Sequence, residues 1–321
     1  MKRVVVTENI HPDGLALLQG RSDIDVELLH GEADRLPAAL ADAHAVLVRS
    51  MALTGDVLAG AKHLEVVSRH GVGCDNIDVD SLSSRGVPVA IAVDANTTSV
   101  VEHVMMMMLA LNKEAMRYDA LTRQGGFSER GKYKTTELFG KHVLIVGFGR
   151  IGKRLAPLCK AFGMQVTVAD IKLDRGYAKK LDCDAVEDFR PLLPSIDYLS
   201  LHVPLDDSTR NMISAAELSV MQPHAILINC ARGGVVDEHA VAAAMRENRI
   251  AGFGCDVFST EPPPADNPLL DLPNSIITPH NAAGPDESMR RMATFAAQNI
   301  INQFDGALTR DFIFNANALG L

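Results

Sequence analysis

Through the first hundred residues short apolar runs alternate with amphipathic stretches. "RVVVT" (3–7), "IDVELLH" (24–30), "AVLVRS" (45–50), "LEVVSRH" (64–70) and "VPVAIA" (87–92) are rich in β-branched residues and each predicts a strand. Between them "HPDGLALLQG" predicts a helix that ends at Gly20, a short helix is expected near 34–42, and Thr54 is placed as the N-cap of "GDVLAGA". Strands and helices in this alternation imply a parallel sheet covered on both faces.

A helical pattern free of Gly and Pro then runs from about Thr98 to Gln124. A second strand–helix series begins with "KHVLIVGFGRIGKRLAPLCKAFGMQVTVAD" (141–170) and continues with strands at 197–203, 225–230, 251–258 and 275–280. The last helix, near 285–305, carries Met289, Met292, Phe295, Ala296, Asn299 and Ile300 on one stripe and leads back towards the first domain for "DFIFNAN". A chain of 321 residues is too long for one ordinary core. The expected architecture is therefore α/β, with two doubly wound parallel-sheet domains. The smaller, flavodoxin-like one is discontinuous (1–98 and 290–321), and a Rossmann domain (99–289) is inserted in it. The cleft between two such domains is the default ligand site. There is no internal repeat and no low-complexity segment.

Composition narrows the function classes. The formal charge is -9, from 31 basic and 40 acidic residues, without a Lys/Arg run, which argues against a nucleic-acid or anionic-membrane partner. The longest apolar stretch, "VMMMMLALN", is short of a membrane span, and "MKRVVVTENI" reads as a first strand instead of a signal peptide. Five cysteines without paired spacing point to free thiols in a reducing cytoplasm and to no metal site.

"VLIVGFGRIG" sets Gly147, Gly149 and Gly152 between an apolar strand and a helix start. The first permits a tight turn, the second lets a pyrophosphate approach the backbone, and the third lets helix and strand pack closely. The helix-start amides around Arg150 and Ile151 would face the phosphates. Asp170, at the end of the next strand, suits the two ribose hydroxyls and repels a 2′-phosphate. NAD is thus expected over NADP, although Lys172 and Arg175 lie just beyond.

Three later strand ends carry Arg232, Glu261 and His280, polar residues out of keeping with the apolar runs before them. Singly, each has a plainer reading: a solvated arginine, an exposed glutamate before prolines, a Pro-His turn. Together, downstream of a nucleotide loop, they supply a bidentate carboxylate clamp, an orienting acid and a proton carrier that works near neutral pH. That is what hydride transfer on a hydroxy acid requires.

"GFGRIG", "NCARGGVVDEHAV", "GCDVFSTEP" and "TPH", with "RHGVGCDNIDVD" and "VVEHVMMMMLAL" nearer the start, resemble the NAD-dependent D-2-hydroxyacid dehydrogenases. Phosphoglycerate, glyoxylate/hydroxypyruvate and D-lactate dehydrogenases belong to that family. The resemblance implies that Arg232 holds the substrate carboxylate, that His280 exchanges the proton and that Glu261 supports His280. It implies substrate contacts from the Val72 and Gly73 amides and a substrate-side role for Arg49. Asp256 would take the nicotinamide amide, Cys230 and Ala231 would line the nicotinamide pocket, and Val203 and Pro204 the adenosine side. The family's small-residue turn after the histidine is altered here to "HNAAGPDE", which affects pocket shape more than proton transfer. Met51 and Leu53 stand where several phosphoglycerate enzymes add a basic residue, so a phosphate-bearing substrate loses ground. Arg49 or Arg69 remains for a second anionic group. The chain stops at Leu321, so the serine-binding regulatory domain of longer phosphoglycerate enzymes is not expected. The four methionines 105–108 are expected to be buried, on a helix that lies at the dimer interface in relatives. The implied assembly is a homodimer, and His103 beside them is expected to be structural. The expected activity is a dehydrogenase acting on a small 2-hydroxy or 2-oxo acid, with 3-phosphoglycerate as a specific possibility. A non-catalytic, corepressor-like NAD-binding protein of the same fold is the alternative.

Overall fold

In the computed structural model, which describes residues 1–321, the chain divides into two units: Met1–Asn96 with Gly284–Leu321, and Thr97–Ala283. The crossings at 96/97 and 283/284 precede the expected boundaries by two and six residues. The first unit is built from β1 (Lys2–Val6), α1 (Pro12–Gln19), β2 (Ile24–Leu28), α2 (Leu36–Leu40), β3 (Ala45–Val48), α3 (Gly55–Leu58), β4 (Val66–Arg69), α4 (Val79–Ser84) and β5 (Val89–Ile91). Its strands are all parallel in the order β2-β1-β3-β4-β5, the flavodoxin order. Alternation along each strand feeds two cores. Val5, Val46, Val48, Val67 and Val89 pack with Leu40, Leu58 and Leu82 on one face, while Val4, Val6, Ala45, Leu47, Val66 and Ala90 fill the other.

The second unit opens with α5 (Thr97–Asn112) and α6 (Ala115–Arg123). It continues with β6 (His142–Val146), α7 (Arg150–Ala161), β7 (Gln165–Ala169), α8 (Arg175–Lys180), β8 (Asp184–Val186) and β9 (Tyr198–Leu201). Then come α9 (Ala215–Val220), β10 (Ile226–Asn229), α10 (Glu238–Arg246), β11 (Gly252–Cys255) and β12 (Ser275–Ile277). Seven parallel strands run in the order β12-β11-β10-β9-β6-β7-β8, a doubly wound sheet whose order reverses between β6 and β9. Ligands of such sheets bind outside the strand carboxyl ends at that reversal.

The single helix expected over 98–124 is two helices. Asn112 ends α5: its carbonyl accepts the Thr136 amide, and its buried side chain bonds Thr136 and the Tyr198 hydroxyl. Glu114 then turns the chain with a left-handed backbone (φ 52°), and α6 buries no side chain. Met105, Met107 and Met108 are buried as expected, but Met106 is 40% exposed, on the outward side with Glu102 and Lys113. Four successive residues span four directions on a helix, and α5 has only three of them against protein.

After the second crossing, α11 (Asp286–Phe304) covers the Val4/Leu47 face of the first sheet with Ala296, Ala297, Ile300 and Ile301. Phe295 leaves the expected stripe and meets Phe312 edge-on at 6.2 Å. The chain end closes the β5 edge, where the Asn315 side chain accepts the Val89 amide and the Phe314 amide bonds the Val89 carbonyl.

Candidate active site

The glycine loop lies at the reversal of the second sheet. Gly147 has φ 99°, and a Cβ there would stand 2.4 Å from the His202 carbonyl oxygen after β9; one on Gly152 would stand 2.1 Å from the Gly147 oxygen. Only glycine fits either place. The loop thus lies against the backbone of His202 and Val203. No side chain caps α7, and its first helical bond runs from the Lys153 amide to the Gly149 carbonyl. The amides of Arg150, Ile151 and Gly152 precede that bond, and a helix start of this kind favours an anion.

Asp170 sits directly beside the loop. One of its oxygens accepts the Phe148 amide (2.7 Å) and the other the Lys172 amide (2.8 Å). An ionised carboxylate offers about four acceptor directions, so one per oxygen is left for ribose hydroxyls. Arg175 turns instead to Glu187 (2.9 Å) and the Ala185 carbonyl. The loop, the helix start and this acid together fit a dinucleotide.

Beyond β10 the chain is folded by its own last strand residue. Buried Asn229 accepts the Ala231 amide (3.1 Å) and donates to the Arg232 carbonyl (2.9 Å), closing a tight turn through Cys230. Arg232 leaves this turn in an extended conformation and donates from one guanidinium nitrogen to the Ala231 carbonyl. A Cβ on the next residue, Gly233, would lie 1.9 Å from the Phe258 carbonyl carbon, so the arginine turn abuts the segment that leads to Glu261. Burial, and then the nearby Asp256 carboxylate, push the Cys230 thiol well above its ordinary value, which makes it an inert apolar wall. All five cysteines are free and buried.

Glu261 and His280 meet. Glu261 Oε2 lies 2.7 Å from His280 Nδ1, and its other oxygen accepts the Phe258 amide at 2.9 Å. A carboxylate acceptor puts the imidazole proton on Nδ1 and leaves Nε2 as the atom available for chemistry. No group of three or more His, Cys, Asp or Glu side chains is arranged to hold a metal ion.

In the first unit Arg49 is exposed just past β3. Glu8 ties its loop down by accepting the amides of Arg49, Ser50 and Met51 and the Ser50 hydroxyl. Burial alone would raise the Glu8 pKa, but bonds from the Ser50 and Thr7 hydroxyls and the Ser50 and Arg49 amides together hold it below the usual range. Arg69 braces the Val72–Gly73 turn by donating to the Gly73 carbonyl (2.7 Å) and the His70 carbonyl (2.8 Å). His70 itself is 3% exposed, and its pKa is pushed down to about 4 by burial first and by Arg49 and Arg69 next.

Residues 105–282 match the model of the D-isomer specific 2-hydroxyacid dehydrogenase NAD-binding domain. The chain belongs to that family. It is 35% identical to a D-3-phosphoglycerate dehydrogenase of Methanocaldococcus jannaschii over 98% of its own length and 59% of the relative's. It therefore spans less than two thirds of that curated relative. Among solved structures it resembles an Aquifex aeolicus D-lactate dehydrogenase complexed with NAD and lactic acid (TM-score 0.87, 28% identity, 98% and 99% of the two chains). It also resembles an NADPH-dependent glyoxylate/hydroxypyruvate reductase of Sinorhizobium meliloti (0.83, 27%, 95% and 94%). The second unit thus carries this family's NAD-binding domain, with the glycine loop and Asp170 at its reversal point.

Asp256, expected to meet the nicotinamide amide, is also a hub of internal hydrogen bonds. It is 1% exposed, and its carboxylate already accepts the Thr278 hydroxyl and the Asn281 and Ala282 amides. Sequence reasoning missed this, and it missed the Asn229 turn and the Glu8 clamp. Asn229 alone left a signal, as the one polar residue closing an apolar run.

Proposed function

We propose that the protein is an NAD-dependent dehydrogenase of small D-2-hydroxy acids. The observation that carries this conclusion is the 2.7 Å contact between His280 Nδ1 and Glu261, which join the ends of two strand-following segments in a domain built to hold NAD. The bound cofactor supplies or accepts the hydride at C2 of the acid. In the reducing direction His280, charged and held through Nδ1, gives its Nε2 proton to the carbonyl oxygen as the carbon receives the hydride. The C–O double bond becomes C–OH, and His280 is left neutral. In the oxidising direction neutral Nε2 takes the hydroxyl proton. Arg232 clamps the carboxylate in two-pronged fashion and polarises the carbonyl. Val72 and Gly73 amides, in the turn braced by Arg69, add contacts to the carboxylate. Asp170 holds the adenosine ribose, Asp256 contacts the nicotinamide amide, and Cys230 and Ala231 wall the nicotinamide pocket.

The protein is further proposed to work in the cytoplasm as a homodimer. No helix is long and apolar enough to cross a membrane. Met106, Met116, Phe127 and Phe139 are 40%, 64%, 71% and 77% exposed within one segment, which suits coverage by a second copy. The substrate is proposed to be a non-phosphorylated 2-oxo acid. A phosphorylated one is favoured instead by the 35% identity to phosphoglycerate enzymes. NADH oxidation with glyoxylate, hydroxypyruvate, pyruvate, sulfopyruvate and phosphohydroxypyruvate decides between them. Turnover of none, with NADH still bound, would favour a non-catalytic NAD-binding protein.

A further inference from the structure

His280 has a left-handed backbone (φ 51°), unusual for a residue with a side chain, so something must hold it there. The holder is one buried carboxylate. Asp256 Oδ1 accepts the Thr278 hydroxyl at 2.6 Å and the Asn281 amide at 2.9 Å, and Oδ2 accepts the Ala282 amide at 2.9 Å. Its donors stand on both sides of His280 in sequence; on the near side the Thr278 hydroxyl adds to the bond from the Thr278 amide to the Cys255 carbonyl (2.9 Å).

The Thr278 hydroxyl has a single proton. The carboxylate at 2.6 Å takes it, since the Cys255 carbonyl is 3.5 Å away. Thr278 Oγ1 is then an acceptor towards His103 Nε2, which lies 3.0 Å from it and 3.8 Å from Asp256. His103 therefore carries its proton on Nε2 and donates it to Thr278. It is fixed in turn by α5, which packs against β10, β11 and β12. A hydroxyl that accepts one hydrogen bond donates a stronger one, so the Thr278 bond to the carboxylate weakens without this donor.

We propose that His103 is a positioning residue for His280, acting through the Thr278 hydroxyl and the Asp256 carboxylate. This rests on His280 being the acid/base group. Losing the donor weakens the bond from the Thr278 hydroxyl to the carboxylate, leaves only the backbone tie on the near side and lets the His280 backbone relax. The proton donor is then displaced from the substrate oxygen.

The test uses the full chain, with the best oxo acid from the panel and active sites counted by NADH titration. His103→Leu and Thr278→Val should each lower kcat about tenfold, with the oxo-acid KM within about twofold of the parent. The solvent deuterium isotope effect on kcat should rise, because proton transfer becomes slower; a merely structural loss of folded enzyme would leave it unmoved. His103→Gln and Thr278→Ser restore a donor and a hydroxyl and should recover most of the activity. The double variant His103→Leu/Thr278→Val should be no slower than the worse single one. A normal kcat in His103→Leu, an additive double variant, or an unrescued His103→Gln would each overturn the proposal. Should His103→Leu fail to fold, the Thr278→Val and Thr278→Ser pair decides the same question. His280→Ala is assayed alongside. If it turns over normally, the acid/base role itself is wrong; if it is inactive while His103→Leu is normal, only the positioning role fails.

Discussion

Glu261→Gln tests the proposed chemistry most sharply, because the glutamate uses both oxygens as acceptors. One receives the Phe258 amide at 2.9 Å and the other faces His280 Nδ1 at 2.7 Å. Glutamine keeps the size but offers one acceptor and one donor. If its oxygen faces His280, its amino group meets the Phe258 N–H, donor against donor. If it flips, the amino group faces Nδ1, so the neutral imidazole must carry its proton on Nε2. Oxidation then loses its proton acceptor, and reduction has a charged imidazole facing a donor. Either way one hydrogen bond is lost, at about 1–3 kcal/mol, as well as the charge assistance. The side chains are 50% and 37% exposed, so solvent screens part of this and the lower half of the range applies. We expect a fall in kcat/KM of about 5- to 25-fold in both directions, at about 1.4 kcal/mol per decade. NADH affinity, read by fluorescence, should be unchanged. Steady-state assays within twofold of the parent in both directions would refute the orienting role, as would a loss confined to NADH binding.

Arg232→Lys keeps the charge but not the fork, and should cost at least about tenfold in kcat/KM with cofactor affinity intact; weak NADH binding with normal substrate handling would reassign the arginine to the cofactor. Asp170→Ser removes the carboxylate beside the glycine loop, so the ratio of NADH to NADPH efficiency should drop, and an unchanged ratio would count against its ribose role. Acid should weaken both units. Burial pushes His70 down to about 4 and His202 down to about 3, from an ordinary value of 6.5, so both stay neutral in the fold while the unfolded chain takes up protons below 6.5. Stability is present above that pH and lost as pH falls, at about 1.4 kcal/mol per unit for each group. Urea unfolding at pH 7 and pH 5 should differ accordingly, and His70→Asn should flatten the slope for the first unit; a pH-independent midpoint would contradict it.

What was legible in the sequence follows from the range of the interaction involved. The strand–loop–helix from His142 to Ala161 depends on neighbours in sequence, and its apolar run, glycines and helix pattern sit where the structure has them. The same holds for the strand ends that carry Arg232 and His280. The continuous helix over 98–124 was misread because its break is set from a distance, by Thr136 and Tyr198 acting on Asn112. The helix at Val79–Ser84 and the strand at Asp184–Val186 are too short and too polar to leave a period. The bond from His103 to Thr278 joins residues 175 positions apart, and nothing in either local pattern announces it.

The covering of the first sheet by α11 also bears on biosynthesis. All five strands of that sheet have been made by Ile91, yet the helix that covers Val4, Leu47 and Val66 ends only at Phe304. A ribosome adding about 5–20 residues per second leaves that apolar face without its lid for roughly 10–40 s. The NAD-binding unit, continuous from Thr97 to Ala283, is complete before then. Folding during synthesis should therefore finish in the middle of the chain before it finishes at the start. During that interval the nascent protein exposes one sheet face, the natural place for a chaperone to hold it.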